Sequence, residues 1–345
     1  MQIDRQEMKA WARAHLRGIE NTIYPSFTPD LAELDEVGIR LDVQQSIRHG
    51  FCSTLVACET GLSFDEAKRL LSIVVDEAKD KLGVGVTLIF NSIEENIAMA
   101  RHAEKIGAHT ALLGYPFNYY PKSLEHVYEV SRRVIESAPQ LGFMLYPSHK
   151  FNLMRLTPMA FPIDVLERLA DLPNVVGCKI GVQEPGFKYE AFYKLGDKLV
   201  VQDPWERWWP LMVRGHQLQY VGAGAYEMFQ SPEKPYLVNM FNLLLDGRYD
   251  EAMKIYWMLT PLRLVFEKQF MPTQMIGTYH WPQMKYYQWL TGGNGGFTRQ
   301  PCMKLMQHEM DESRNVLRAV GIHGNENDEE FFVGRMQYAK GKRIC

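Results

Sequence analysis

Short runs of β-branched and apolar residues recur along this chain, and longer stretches with helical spacing lie between them. Eight runs stand out: 22–27 (TIYPSF), 51–57 (FCSTLVA), 84–90 (VGVTLIF), 110–115 (TALLGY), 142–147 (GFMLYP), 175–181 (VVGCKIG), 198–203 (KLVVQD) and 219–225 (QYVGAGA). They begin about 20–35 residues apart, near the roughly 30 per unit expected when about 250 residues form eight βα units. The stretch 63–82 opens with Ser63 and carries Glu66 three residues on, the pattern of a capping box. The stretch 93–106 stops at Gly107, a suitable residue just past a helix end. Strands alternating with helices predict a parallel sheet. Eight units favour closure into a (β/α)8 TIM barrel over a doubly wound open sheet, which the spacing alone also allows.

The alternation ends near residue 230. We therefore expect a barrel over 1–230, opened by an amphipathic helix in MQIDRQEMKAWARAHLRG. An all-helical C-terminal extension over 231–322 is expected to pack on it, broken at Gly292–Gly296. A polar tail covers 323–345.

Composition narrows the function classes. The 38 basic and 41 acidic residues give a formal charge of −3, with no Lys/Arg stripe for a nucleic acid. No run approaches about 18 apolar residues, so no membrane span is expected. The N-terminus lacks a signal-peptide core. The five cysteines (Cys52, Cys58, Cys178, Cys302 and Cys345) have no zinc spacing. A reduced, cytoplasmic protein without a structural metal or an organic cofactor is the expectation. GAGAYE and GGNGG lack the spacing of nucleotide-binding loops.

The active site of such a barrel lies at the C-terminal ends of its strands. Lys179 stands inside the apolar run VVGCKIG. Burial there favours the neutral amine, the form that attacks a carbonyl. The plainer reading is a lysine whose ammonium reaches out to a carboxylate. Tyr146 ends the preceding run, and strands about 4.8 Å apart put the two side chains within one cavity. A phenol beside an amine can move the protons of imine chemistry; alone, Tyr146 reads as an ordinary barrel tyrosine. Ser53, Thr54, Cys58, Glu59 and Thr60 cluster at or after the second run, where they are candidates to hold a carboxylate. Gly222 and Gly224 allow close backbone approach, Asp203 ends the seventh run, and His149 and Lys150 follow Tyr146. His102 and His126 lie on helices and read as surface or satisfied histidines.

Several segments together are recognisable. TIYPSFTPDLAELDEVGIRLDVQQSIRHG, NSIEENIAMARHAEKIGAHTALLG, FMLY, LADLPNVVGCKIG and WLTGGNGGFTRQPCMKL span roughly residues 18–322. With them the chain resembles the dihydrodipicolinate synthase/N-acetylneuraminate lyase family of class I pyruvate-dependent lyases. The resemblance implies Lys179 as Schiff-base lysine, Tyr146 as proton-shuttling tyrosine, and a homo-oligomer, dimer or tetramer. The partners implied are pyruvate or another 2-oxo acid and an aldehyde. The family's G-T-T-G-E is not intact between Cys52 and Gly61, so either Ser53–Thr54 or Cys58–Thr60 holds the carboxylate, or it is held differently. Where the lysine-pathway synthases carry Y-Y-N-x-P, this chain has Phe117, Asn118, Tyr119, Tyr120 and Pro121. The phenol is missing at Asn118, with Tyr119 or Tyr120 as substitutes. Their arginine after the catalytic tyrosine is absent from Pro147–Phe151. LLGYPFNYYPKSLEHVYE and APQLGFMLYPSHKF look more like the aromatic hydratase-aldolases, which act on 4-hydroxy-2-oxo or benzylidenepyruvate acids. Two rivals stand: a sugar-acid dehydratase of the 2-keto-3-deoxy acid type using the same Lys/Tyr pair, and a non-catalytic 2-oxo acid binding protein.

Overall fold

The structure, a computed structural model, describes residues 4–59, 61–222, 224–275, 280–302 and 304–344. Its strands are β1 (Gly18–Ile23), β2 (Ser53–Val56), β3 (Gly83–Leu88), β4 (Thr110–Leu113), β5 (Gly142–Leu145), β6 (Val175–Lys179), β7 (Val200–Gln202) and β8 (Tyr220–Val221). They form one sheet in the order β7-β6-β5-β4-β3-β2-β1-β8. The registered pairs β1–β8, β3–β4, β4–β5, β5–β6 and β6–β7 are all parallel. This is a (β/α)8 TIM barrel with a helical C-terminal region, the fold that the alternation predicts.

Seven strands fall within a few residues of the expected runs. β1 begins four residues earlier than expected, at Gly18 rather than Thr22. Its sequence, GIENTI, carries Glu20 and Asn21, which hide it from a search for apolar runs. Both side chains are buried and both are hydrogen-bonded, which removes most of the penalty for polar groups in a strand.

The chain divides into two compact units, Met1–Glu20 with Gly83–Gly222, and Asn21–Leu82 with Ala223–Cys345. In the first, the opening helix Met8–His15 buries Met8 and Ala12. The helix Ile93–Ile106 is capped by Ser92, which accepts from the Glu95 N–H, and ends at Gly107 with φ 87°. A residue without Cβ adopts that left-handed cap at little cost. The helix Pro185–Leu195 carries Lys188, whose Nζ donates to both carboxylate oxygens of Asp203 at 2.8 Å. Neither side chain of this pair touches solvent. Burial pulls Lys188 down and pushes Asp203 up, and each partner opposes the other's shift.

In the second unit, Ser63 and Glu66 form the expected capping box at the start of the helix Phe64–Ala78. The helices Tyr236–Leu245, Tyr249–Met258, Thr260–Met275, Trp281–Leu290 and Gln307–Ala319 follow one another. The chain leaves helical geometry across Gly292–Gly296, as the glycines predict. The polar tail folds into two short helices, Asp328–Val333 and Arg335–Ala339. Arg335 donates to the carbonyls of Gly292 and Trp289, and Gln337 to Asp35.

A polar network lies beneath these helices. Asp42 accepts from the Asn294 N–H at 2.6 Å and is pushed up to about 6 by burial. Lys285 donates to the Pro25 carbonyl and Ser26 and is pulled down to about 8 by burial. Glu227 accepts from Asn21 and Gln288 through one oxygen, Oε1, at 2.7 and 3.0 Å. Burial pushes its carboxyl up to about 7. Glu227 Oε2 and Asn21 Oδ1 are both buried without a hydrogen-bond partner among the described residues.

These buried charges can be probed by unfolding. Asp203→Asn leaves the Lys188 charge buried and unpaired, and a loss of about 3–5 kcal/mol in urea unfolding is expected; a loss below about 1 kcal/mol would refute the pairing. Glu227 holds its proton up to about pH 7 in the folded chain, against about 4.3 for an ordinary glutamate. Its stabilisation is therefore full at low pH and lost as pH rises through about 7. Glu227→Gln mimics the protonated acid, so its urea midpoint should gain on the parent at about pH 8 but not at about pH 5. Asp42, with the same direction, and Lys285, with the opposite one, are unchanged in both proteins. Equal differences at the two pH values would exclude a protonated Glu227.

Candidate active site

Lys179 is the last residue of β6, at the C-terminal edge of the sheet. Its side chain is 6% exposed. Leu145 of β5 pairs with Cys178 of β6, so the next residue on each strand brings Tyr146 level with Lys179. The Lys179 Nζ lies 5.4 Å from the centroid of the Tyr146 ring. Phe151, wholly buried, meets that ring edge-on at 5.5 Å. The structure thus brings together the two residues that the sequence singles out.

It adds three that the sequence search missed. Lys179 pairs in register with Gln202 of β7. The Gln202 amide donates to Glu20 Oε2 at 3.4 Å, and the Tyr220 phenol donates to Glu20 Oε1 at 2.6 Å. Glu20, Gln202 and Tyr220 are all buried. Burial pushes the Glu20 carboxyl up, and Tyr220, the Lys179 charge and Gln202 pull it back. Gly222 makes room for this group: a Cβ there would stand 2.8 Å from Glu20 Oε2 and 2.5 Å from its Cβ. The readable signal was a carboxylate in an otherwise buried strand.

The remaining candidates are distributed as follows. In the first unit, Asn118 and Tyr120 are exposed on the loop after β4. Tyr120, 62% exposed, lies under the Arg155 guanidinium at 5.4 Å. Asn152 ties this loop to the one after β5 by donating to the carbonyls of Phe117 and Tyr119. His149 is exposed, with Nδ1 3.1 Å from Met154 Sδ. Asp203 is spoken for by Lys188. In the second unit, Ser53 and Thr54 are buried in β2, and Thr54 Oγ1 has no hydrogen-bond partner among the described residues. The Cys58 thiol is buried against the Ala67 carbonyl, and burial raises its pKa well above the usual thiol range. Glu59 follows it, half-buried, and Gly224 lies in the loop after β8. Thr60 and Cys345 lie outside the described residues. Among the described residues no group of three or more His, Cys, Asp or Glu side chains is placed to hold a metal ion, and no helix is long and apolar enough to cross a membrane.

Comparison with known proteins places the chain in a family. Residues 15–209 match the model of the dihydrodipicolinate synthetase family. The 4-hydroxy-tetrahydrodipicolinate synthase of Methanothrix thermoacetophila is 27% identical over 308 residues, 87% of this chain and 96% of the relative. That of Syntrophobacter fumaroxidans is 27% identical over 235 residues, 67% of this chain and 76% of the relative. Among solved structures, N-acetylneuraminate lyase from Fusobacterium nucleatum superposes with a TM-score of 0.71 at 16% identity, over 88% of this chain and 98% of that one. A barrel of this fold, matched by that family model over more than half its length, has one assignment: the chain belongs to the dihydrodipicolinate synthetase family, and it is an enzyme of the class I, pyruvate-dependent kind that acts on carbon–carbon bonds.

Proposed function

We propose that the chain is an aldolase of the hydratase-aldolase type, which breaks or forms the C3–C4 bond of a 4-hydroxy-2-oxo acid or a benzylidenepyruvate-type acid. Lys179 is its Schiff-base lysine and Tyr146 its proton relay. The observation that carries the reading is the buried Lys179 amine above the Tyr146 ring at the strand ends.

The neutral Lys179 amine adds to the C2 carbonyl of the 2-oxo acid. Tyr146 moves protons between the nitrogen and the departing oxygen, and water leaves. On a benzylidenepyruvate-type acid, water first adds at C4. As the C4 hydroxyl gives up its proton, the protonated imine takes up the electron pair of the C3–C4 bond, which releases an aldehyde and leaves an enamine; a proton returned to C3 restores the imine of pyruvate. Water releases pyruvate and restores the amine. Every step uses side chains of this chain and none calls for a metal. Phe117 and Tyr120, on the tied loops beyond Tyr146, offer aromatic surface that an aryl-bearing acceptor can stack against.

Pyruvate and borohydride should leave one reduced pyruvate on the Lys179 peptide, by intact mass and peptide mapping, and Lys179→Ala should take up none. Tyr146→Phe should lower kcat by about 10²–10⁴-fold. An adduct on another lysine would overturn the assignment of Lys179. Pyruvate plus an aldehyde as products supports the aldolase. A 2-oxo product that keeps its carbons, or loses one as CO2, would replace it with the sugar-acid dehydratase reading.

A further inference from the structure

The interior of a barrel of this kind is normally filled by apolar, branched side chains. Here β1 places a carboxylate on the same sheet face as the candidate nucleophile. Side chains alternate along a strand. Gly18 pairs with Tyr220, so Glu20, two residues on, shares the face of Tyr220. Lys179 pairs with Gln202, and Gln202 reaches Glu20. The four side chains therefore share one face across β6, β7, β1 and β8.

Glu20 is 5% exposed and held from two directions. Its partners do not neutralise it: a phenol and an amide donate hydrogen bonds but carry no positive charge. Lys179 is the cation that acts on it. The other buried lysine of this unit, Lys188, is engaged by Asp203. The missing side chain of Gly222 leaves the space for the carboxylate. A merely structural strand position would be served by an apolar residue without this burial of charge.

We propose that Glu20 is a positioning residue acting through Lys179: its carboxylate is the counter-charge of the cationic nitrogen at Lys179 Nζ. The proposal rests on the reading of Lys179 as the Schiff-base lysine only for its catalytic consequence. The site has two states of equal net charge. In one, Lys179 is a neutral amine and Glu20 a carboxylic acid, ready for attack. In the other, Nζ is cationic, as ammonium or as protonated imine, and Glu20 is a carboxylate. The pair thus accommodates the cation on which C3–C4 cleavage depends without leaving an unpaired buried charge. The titratable groups facing it are the Tyr146 phenol from β5 and the Tyr220 phenol from β8; Gln202 from β7 is neutral.

The test reads Lys179 without pyruvate. Competitive labelling with acetic anhydride across pH, followed by peptide mapping, gives the titration midpoint of Lys179. In Glu20→Gln, which keeps an acceptor for Tyr220, the midpoint should fall by about one unit or more, while other lysine peptides stay in place. Tyr220→Phe, which alters no charge but removes a donor that favours the Glu20 carboxylate, should move it in the same direction by less and serves if the first variant does not fold. A Lys179 midpoint unmoved in the folded variant, or moved together with many other lysines, overturns the proposal. Where the parent protein forms the pyruvate adduct, Glu20→Gln should also lower kcat about tenfold with KM for pyruvate changed by less than about threefold, since a contact needed only for the cationic intermediate acts on kcat. Absence of the adduct in the parent protein would remove the Schiff-base reading, and the labelling result would then decide the role of Glu20 by itself.

Discussion

Charge taken out of water has to be answered locally, and the first unit of this chain is organised around that demand. Moving an ammonium or a carboxylate into a medium of low polarity costs several kcal/mol even after relaxation. Lys188 and Asp203 meet the cost by direct pairing, with two contacts of 2.8 Å. Glu20 meets it through a phenol, an amide and the charge of Lys179. Direct pairing opposes the downward pull of burial on Lys188, and the charge of Lys179 opposes the upward push of burial on Glu20. Lys179 and Lys188 thus sit in different surroundings, one at a strand end beside the Tyr146 ring and one in a closed ion pair.

The second unit shows the same physics applied to packing. Asp42, Glu227 and Lys285 are buried among helices and loops, and burial moves each towards its neutral form. Asp42 and Lys285 each bond a backbone group, the Asn294 N–H and the Pro25 carbonyl. The glycine-rich break at Gly292–Gly296 is held in the same way: Arg335 donates to the carbonyl of Trp289, near the end of the preceding helix, and to that of Gly292, in the break itself. What reads in one dimension as a polar tail is, in three, a clamp on that break.

Much of the architecture was legible in one dimension because local rules and the tertiary fold agree. Ser63 with Glu66 and Gly107 mark helix ends by hydrogen bonding and backbone freedom that need no distant partner. Seven strands announced themselves as apolar runs because both their faces are buried. Lys179 and Tyr146 stood out because a titratable group at the end of such a run is costly. Glu20 did not, since GIENTI does not read as a strand until Tyr220 and Gln202, some 200 and 182 residues away, are in place to bond it.

The amino-acid sequence by itself determined the eight βα units, the helical C-terminal region, the family and the two residues on which the proposed chemistry rests. Period, caps and motifs are local, and they survive in one dimension. Only the tertiary structure decided which charges meet. It set Asp203 against Lys188 rather than leaving it as a free strand-end carboxylate. It also set Glu20 against Gly222 and within the electrostatic reach of Lys179. Electrostatic pairing depends on distances of a few ångströms across strands far apart in the chain, and those distances exist only once the sheet has formed.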